Sequence, residues 1–447
     1  MKIHPMSTGL LLAAVLLTGC SESARLPAGA DTGPRPTLVE PVKRLIPTAH
    51  VANARPWQAG EAPIPAPGLQ VTALATGLEH PRWLHVLPNG DVLVAETNAP
   101  PRPQEGGGIR GWVMSKLMLK AGSVGTSANR ITLLRDADGD GRAEVQEVFL
   151  KDLNSPFGMA LVGDRFYVAN TDAVWSFAYV AGQTQITAAG QRLTELPAGP
   201  RNHHWTKSLI ASPDGSKLYA TVGSNSNAAE NGIEVEEGRA AIWEIDATTG
   251  RKRLFATGLR NPNGMAWMPS AQGAAPVLWT VANERDELGS DLVPDYLTSV
   301  RDGGFYGWPY SWYGSHVDHR VEPQRPDLVA RALVPDYALG AHVAALGLVS
   351  AAGSAVPASL PGAPAAGVFI GMHGSWNRQP FAGYKVVFVP FANGVPQGLP
   401  IDVLTGFLSA AGDARGRPVG VAIDRHGALL VADDVGNTVW RVTPAPR

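Results

Sequence analysis

The stretch RPVGVAIDRHGALLVADDVGNTVWRVTP, residues 417–444, decides the fold of this chain. It begins with RPVGVAI, a lead-in with Pro and Gly that runs into an apolar strand. A polar turn follows, then a second apolar strand, GALLVAD, and a third strand with an aromatic residue, TVWRVTP. Short apolar runs separated by turn residues predict β-strands. The stretch therefore predicts successive strands of one sheet.

The same pattern occurs six times from about residue 69 onwards. Its lead-ins are HPRWLHV (80–86), SPFGMAL (155–161), HHWTKSL (203–209), NPNGMAW (261–267), AALGLVS (344–350) and RPVGVAI (417–423). An outer strand such as VTALATG or KRLFATG brings the repeat to four strands. The repeats are roughly 50 to 90 residues apart, which is longer than the ~40–50 residues of a usual propeller blade. The excess lies in insertions, chiefly at 97–127 and 285–340.

Four-stranded units in a radial array form a β-propeller, which protects the edges of its sheets. We therefore predict an all-β fold, a six-bladed β-propeller with long loop insertions. The strand LQVTALATG is expected to complete the last blade and close the ring, because TVWRVTP is itself a third or fourth strand. A pair of β-sandwiches and a solenoid are the alternatives.

The composition agrees with a compact, turn-rich protein. Apolar residues make up 45% of the 447 residues and charged residues only 17%, with 50 Gly and 37 Pro. The formal net charge is −2, and the sequence contains no basic stripe. Binding to nucleic acid therefore has no electrostatic support.

Residues 1–20 are typical of a lipoprotein-type signal peptide. Lys2 precedes the apolar run Leu10 to Leu17, which is too short to span a bilayer. The segment ends at Cys20, the only cysteine, in a Leu-Thr-Gly-Cys sequence that resembles the bacterial lipobox. We expect an exported protein, periplasmic or on the outer membrane, that is held to the membrane by a lipid on Cys20. An ordinary signal peptide with an incidental cysteine is the alternative.

Two further segments complete the predicted organisation. Residues 21–68 are rich in Pro and Ala and predict a linker, either a semi-rigid spacer or a loosely docked arm. Residues 69–447 are predicted to form the propeller, which is the catalytic domain.

Four motifs carry a family resemblance. In chain order they are HHWTKSLIASPDGSKLYATVGS (203–224), GLRNPNGMAW (258–267), ANERDELGSDLVPDY with GGFYGWPY (282–310), and RGRPVGVAIDRHGALLVADD (415–434). With these motifs, residues 70 to 445 resemble the soluble quinoprotein glucose/sorbosone dehydrogenases. Members of that family are six-bladed propellers that use pyrroloquinoline quinone (PQQ).

The resemblance implies roles for several residues. His204 stands where the family has the general base that acts on the sugar C1 hydroxyl, and a neutral imidazole suits that role. Arg260 and Asn261 are expected near the quinone oxygens, where a guanidinium group would stabilise negative charge. For each of these residues, a loop position without a catalytic role is the alternative.

The resemblance also implies that Arg415 and Arg417 bind the PQQ carboxylates. Their i, i+2 spacing on an extended segment is expected to put both side chains on one face. Arg378, in GMHGSWNRQP, stands where some members have a lysine, so this contact departs from the family pattern. Solvated surface arginines are the alternative.

Calcium is the second cofactor that the resemblance implies. It is expected to bridge PQQ and backbone carbonyls near Glu284, Arg285 and Asp286, although a solvated acidic turn is the alternative. A further calcium site is predicted in DADGDGRAEVQE, a calcium-loop pattern at a hairpin tip. Its predicted ligands are Asp136, Asp138, Asp140 and Glu147. An Asp/Gly turn without a metal is the alternative there.

Together these features predict PQQ- and calcium-dependent oxidation of an aldose or aldehyde sugar to a lactone or acid. His204 would act as the base, hydride would pass to the quinone, and a quinone or cytochrome would then take the electrons. No G-x-G-x-x-G lies between a strand and a helix, so nicotinamide use has no support. A calcium-dependent propeller lactonase and a non-catalytic binding propeller are the alternatives.

Overall fold

A computed structural model describes residues 22–42, 48–101, 120–122, 125–270 and 275–446. The predicted signal peptide and Cys20 lie outside this range, as does most of the 97–127 insertion. The regular secondary structure of the described chain is almost entirely β-strand, with helical turns at Glu234–Glu236, Pro326–Val329 and Pro357–Ser359. None of these described helices has the length and apolar character that crossing a membrane requires.

The described strands form six sheets around one axis, which confirms the predicted six-bladed propeller. In each blade the first strand lies beside the first strands of the neighbouring blades. Blade 1 consists of Pro81–Val86, Val92–Glu96, Arg130–Arg135 and Val145–Leu150. Blade 2 consists of Met159–Val162, Arg165–Ala169, Ala173–Ala178 and Gln191–Glu195. Blade 3 consists of Leu209–Ala211, Lys217–Val222, Ala241–Asp246 and Lys252–Thr257, with Gly304–Phe305 added at its edge.

The other three blades include strands from the N-terminal part of the chain. Blade 4 consists of Asn261–Met268, Val277–Asn283, Pro294–Ser299 and Tyr337–Ala341, with Thr32–Gly33 at its edge. Blade 5 consists of Ala345–Ser350, Gly367–Met372, Lys385–Ala392 and Ile401–Thr405, with Val395–Pro396 and Ile64–Pro65. Blade 6 consists of Pro418–Ile423, Leu429–Asp433, Thr438–Pro444 and Leu69–Thr76. The separate hairpin Ser311–Trp312 and His316–Val317 belongs to the 285–340 insertion.

The core is divided among the blade interfaces. One cluster of buried apolar side chains lies between each pair of neighbouring blades in the described chain. Second strands such as Val92–Glu96 and Leu429–Asp433 are buried throughout, because other blades cover both faces of the sheet. The outer strands are largely exposed, as in Gln191–Glu195. This burial explains why the second strands are continuous apolar runs in the sequence.

The ring is closed by pairing between its two ends. Leu69–Thr76 runs antiparallel to Thr438–Pro444, with Ala73 opposite Trp440. This confirms the predicted closure by the N-terminal strand. The sequence repeat is therefore offset from the blade by one strand. The outer strand that comes just before each lead-in in the sequence is the fourth strand of the preceding blade.

The antiparallel pairing also determines where the site lies. The start of a first strand lies opposite the end of the second strand of its blade, as in the pairs Pro81 with Glu96, Asn261 with Asn283 and Pro418 with Asp433. The six strand starts therefore surround the axis at one end of the propeller, which we call the mouth. Residues at these positions converge although they are far apart in the sequence.

The N-terminal segment that was predicted as a linker packs on blades 4, 5 and 6. We call its described part, residues 22–42 and 48–62, the arm. Its backbone hydrogen-bonds to the loops near the mouth, including Val42 N to Leu288 O (2.9 Å) and His50 N to Trp376 O (2.8 Å). The ring of Trp57 packs edge-on against Trp440. The arm is thus part of the propeller mouth.

Candidate active site

His204 lies in the segment that leads into the first strand of blade 3, Leu209–Ala211, and is at the mouth. Its Nδ1 is 2.9 Å from Ser224 Oγ and 3.0 Å from Ser224 O. Because Ser224 Oγ donates its own hydrogen to Ser226 O (2.6 Å), Nδ1 must be the donor towards Ser224. In the neutral imidazole, Nε2 is then the nitrogen that accepts a proton.

The surroundings of His204 favour its neutral form. Burial holds its pKa well below the ordinary value of 6.5, and the nearby His203 and Arg260 lower it further, although Asp286 raises it. The His203 ring lies edge-on to that of His204, with 4.6 Å between the ring centres. His204 is therefore a proton acceptor at neutral pH, as a general base must be.

Arg260, at the start of blade 4, is buried and firmly held. Its Nη1 donates to Glu284 O (2.6 Å), and its Nη2 donates to Asp286 Oδ2 (2.7 Å) and Asn227 Oδ1 (3.1 Å). Its Nε donates to Asn227 O (3.2 Å). The guanidinium group is thus a fixed positive charge beside His204, and much of its donor capacity is taken up by the chain itself.

The carboxylate of Asp286 connects several segments around Arg260. Its Oδ1 accepts a hydrogen bond from Asn377 Nδ2 (2.8 Å) and lies 3.5 Å from His342 Nδ1. Although burial raises the pKa of Asp286, Arg260 and His342 hold it far below its ordinary value. Asp286 is therefore ionised and balances the charge of Arg260.

Asn261 shares a tightly packed position with His204. Gly223 lies between them: a Cβ at this glycine would come within 2.4 Å of Asn261 Oδ1 and 2.5 Å of the His204 Cβ. Asn261 Nδ2 donates to Asn283 Oδ1 (3.1 Å), whereas Asn261 Oδ1 is buried without a partner among the described residues. A buried amide oxygen without a partner is costly and indicates a position where a ligand donor would bind.

A second charged group lies between blades 5, 6 and 1. Arg82 Nη1 donates to Asp434 Oδ2 (2.6 Å), and His373 Nε2 is 2.9 Å from the same oxygen. Arg417 is 4% exposed and lies over the Tyr384 ring at 5.3 Å. Its Nε and Nη2 and the Nε of Arg82 are buried without partners among the described residues. Arg82 is thus paired with the carboxylate of Asp434, whereas these Arg417 nitrogens have no partner in the described chain, which leaves positive charge in excess.

His373 is uncharged in this group. Burial lowers its pKa to about 4, against the influence of Asp434, and Arg417 and Arg82 lower it further. The unpartnered donors therefore belong to the arginines, and they fit an anion with several carboxylates.

Two predicted arginines lie in other surroundings. Arg415 is in a bend before the strand, 40% exposed, with Nη1 at 3.4 Å from Glu61 Oε1 of the arm. The predicted arrangement of Arg415 and Arg417 on one extended face is therefore wrong, because the chain turns between them. Arg378 donates to Ser290 O and Pro380 O, both at 3.0 Å. The structure does not bring either residue to the unpartnered nitrogens of Arg417.

The carbonyls predicted to bind calcium are engaged by donors of the chain. Glu284 O accepts from Arg260, and Asp286 O accepts from Asn227 Nδ2 (3.2 Å) and from Arg285 Nη1. Arg285 itself forms a buried ion pair with Asp318. Because two cationic groups already lie at these oxygens, the arrangement does not fit a calcium ion.

The second calcium prediction needs one correction. Carboxylate oxygens of Asp136, Asp138, Asp140 and Glu144 lie within 4.8 Å of one another, and Glu144 takes the place predicted for Glu147. Glu147 lies instead in the strand Val145–Leu150, opposite Leu133, because a strand follows this loop where a helix would follow in an EF-hand. The loop lies at the end of the propeller opposite the mouth. Calcium binding there stays a prediction from the sequence pattern.

Several residues of the site were missing from the sequence prediction. Arg82 and Asp434 lie in HPRWLHV and LLVADD, where a charged residue interrupts an apolar first strand or follows an apolar second strand at the mouth. That position was an available signal. The sequence held no such signal for His342 and Asn377, because only the folding of the loops at the mouth brings them to Asp286.

Comparisons with known proteins identify the family of the chain. The chain matches the TrAA12-like family model over residues 63–294 and 329–445. A pyrroloquinoline quinone-dependent pyranose dehydrogenase of Coprinopsis cinerea is 24% identical over 368 residues, which cover 73% of this chain and 44% of that protein. The chain thus spans less than half of that relative's length.

Solved structures share the fold. The chain superposes on a Trichoderma reesei structure of carbohydrate-active enzyme family AA12 with a TM-score of 0.67 and 19% identity, covering 89% of this chain and 99% of that one. The PQQ domain of Coprinopsis cinerea pyranose dehydrogenase in its holo form gives a TM-score of 0.64 and 21% identity, covering 88% and 100%. The family resemblance predicted from the sequence is confirmed: the chain belongs to the TrAA12-like family of pyrroloquinoline quinone-dependent oxidoreductases.

Proposed function

We propose that this protein oxidises an aldose or related aldehyde sugar at the propeller mouth, with PQQ as cofactor and His204 as general base. The observation that carries the proposal is the hydrogen bonding of His204. Ser224 accepts the hydrogen bond from Nδ1–H, so Nε2 is the nitrogen that can accept a proton. The imidazole lies near the fixed charge of Arg260.

The residues of the mouth fit PQQ, a planar molecule with three carboxylates. Arg417 and Arg82 offer three buried guanidinium nitrogens without partners in the described chain, and these would bind carboxylate groups. Asn261 lies on the other side of the site, next to His204. When bound, PQQ supplies the two-electron acceptor that the side chains of this protein lack.

The remaining chemistry belongs to the chain. His204 Nε2 takes the proton of the C1 hydroxyl, and the imidazolium that forms keeps its Nδ1 hydrogen bonds to Ser224. Arg260, held in place by Asp286 and Glu284, supplies a preorganised positive charge for negative charge that develops nearby. No step is assigned to calcium, because the carbonyls expected to bind it are occupied by Arg260 and Arg285.

The product would be a lactone or acid, and the electrons would pass to a quinone or cytochrome. With a lipid on Cys20, the enzyme would work at an exported membrane face, in the periplasm or on the outer membrane. A calcium-dependent lactonase would need carboxylates and amides converging on an axial metal. At the mouth the carboxylates of Asp286 and Asp434 are instead paired with Arg260 and Arg82, and the unpartnered guanidinium nitrogens favour an anionic cofactor. A binding propeller without catalysis would not require the hydrogen bonds that prepare His204.

The test is reconstitution of the purified protein with PQQ, followed by dye reduction with a panel of aldoses. We expect PQQ-dependent turnover in the wild type and none in His204→Ala, with PQQ still bound by both. Hydrolysis of lactones without PQQ would instead identify a lactonase. PQQ binding without turnover of any sugar or aldehyde would contradict the proposal.

A further inference from the structure

A cavity of about 290 Å³ lies beside the mouth, between the arm and the 285–340 insertion. Val42 and Thr48 of the arm form its outer wall. Trp312 and Arg320 come from the insertion, and Trp376 and Asn377 come from the loop that follows the second strand of blade 5. The volume is near the lower end of the roughly 300–1,000 Å³ of small-molecule pockets. It suits a single ring better than a long chain.

A chain of hydrogen bonds that begins at Asn377 links the cavity wall to the active site. This residue lines the cavity, and its Nδ2 donates to Asp286, which in turn pairs with Arg260. Its Oδ1 is buried without a partner in the described chain, and the residue is only 7% exposed. A ligand hydroxyl in the cavity would satisfy this oxygen.

The lining is suited to a neutral ligand with many hydroxyl groups. Both arginines of the lining are already in ion pairs: Arg320 with Glu287 at 2.6 Å, and Arg285 with Asp318. The Glu22 carboxylate accepts a hydrogen bond from Ser290 N (2.7 Å). An anionic ligand would therefore find no arginine in the lining that is not already paired. The half-buried indole of Trp376 provides apolar surface for the C–H face of a sugar, and the paired polar groups provide donors and acceptors. Trp312 also lines the cavity, but it is buried and its ring is stacked on that of His316.

Described residues of the arm are held in place beside the cavity. Val42 N donates to Leu288 O (2.9 Å), and the Glu22 carboxylate accepts from Ser290 N (2.7 Å). Val42 packs directly over Gly289, where an added Cβ would be 3.2 Å from the Val42 Cβ. The cavity is therefore bounded in part by residues outside the propeller repeats.

We propose that this cavity binds the second, neutral ring of a disaccharide or short oligosaccharide whose first ring is oxidised at His204. The inference rests on the proposed function and extends it to the substrate class. It makes the arm a determinant of specificity, because a side chain added to the arm would fill the space for the second ring.

The experiment compares glucose with cellobiose and maltose as substrates of the full chain reconstituted with PQQ. Thr48→Trp fills the cavity from the arm, and Trp376→Ala removes its apolar surface. We expect each change to lower kcat/KM for the disaccharides at least about tenfold, and that for glucose no more than about twofold. The PQQ dissociation constant should stay unchanged. Val180→Trp, on an exposed residue at the opposite end of the propeller, is the control and should change neither ratio.

Equal losses for glucose and the disaccharides, or no loss for either, would overturn the inference. Calorimetric titration of the protein without PQQ separates this result from failure of the proposed function. Disaccharide binding that Thr48→Trp abolishes and Val180→Trp retains would support the pocket even if no sugar is oxidised. Wild-type oxidation of glucose without any disaccharide binding or turnover would leave the proposed function standing and refute the pocket.

Discussion

The indole Nε1 of Trp57 donates a hydrogen bond of 2.7 Å to Asp433 Oδ2 and so joins the arm to the mouth of blade 6. Oδ1 of the same carboxylate accepts the backbone N–H of Arg417 at 2.8 Å. The arm therefore helps to hold the segment that presents the Arg417 guanidinium.

Trp57→Phe should weaken PQQ binding several-fold. The phenyl ring keeps much of the packing, but the loss of the indole N–H leaves Asp433 Oδ2 with Trp440 Nε1 (3.0 Å) as its remaining indole donor and loosens the backbone at Arg417. The measurement is a PQQ titration followed by protein fluorescence. Trp243→Phe is the matched control, because Trp243 is also half-buried and donates to a blade 3 carbonyl, Gly238 O, at 2.8 Å. Equal PQQ affinity in the two variants would contradict the positioning role of Trp57.

Asp433 should make stability depend on pH. Burial raises its pKa to about 6, above the ordinary 3.8, so the folded protein keeps a proton that the unfolded chain releases. The contribution of this group to the free energy of unfolding therefore falls as pH rises from about 4 to 6 and is constant above that. Asp433→Asn lacks this contribution. The difference in unfolding free energy, variant minus wild type, should rise by about 2–3 kcal/mol over that range. Urea unfolding at several pH values measures it, and a constant difference would refute the assignment.

His204→Gln should lower kcat by a factor of about 10²–10⁴, the usual contribution of a general base. PQQ affinity should be unchanged, because the imidazole acts on the sugar. Steady-state kinetics and a PQQ titration make the comparison. A variant that keeps more than about a tenth of the wild-type kcat would exclude His204 as the base.

The pH profile of kcat should reflect the lowered pKa of His204. Because burial and nearby positive charge favour the neutral imidazole, the base stays competent below pH 6.5, the ordinary pKa of histidine. Activity should therefore be nearly constant from neutral pH down past 6.5 and fall only when the lowered pKa is reached. Dye-reduction rates in a constant-ionic-strength buffer series measure this. A fall in kcat with its midpoint at or above pH 6.5 would show that the catalytic base is protonated at a higher pH than the structure implies.

Arg417 and Arg82 should matter more for PQQ than Arg415. Charge-assisted hydrogen bonds contribute about 1.5–3 kcal/mol, so Arg417→Ala and Arg82→Ala should each raise the PQQ dissociation constant by about tenfold or more. Arg415→Ala should change it little, because Arg415 pairs with Glu61 at the surface. If Arg415→Ala weakened PQQ binding as much as Arg417→Ala, the sequence-based prediction that both arginines bind PQQ would be supported instead.

The sequence predicts the blades well, because each blade repeats the same order of lead-in, turn and apolar strand. It also brings His204, Arg260 and Asn261 to one end, since each lies in the lead-in to a first strand or at its start. What the sequence could not supply is the contact between blades. Asp286 meets Asn377 only because the 285–340 insertion and the loop after the second strand of blade 5 come together at the mouth. The predicted face of Arg415 was wrong for a local reason, a bend that spacing alone does not reveal.

The pairing of Leu69–Thr76 with Thr438–Pro444 has a consequence for how the molecule is made. The sixth sheet cannot be completed until the strand Thr438–Pro444 has emerged from the ribosome. Until then the earlier sheets form a ring that is not yet closed. Because every sheet contributes residues to the mouth, a nascent chain should be unable to bind PQQ before that final pairing. Loading with the prosthetic group would then be a late step in maturation.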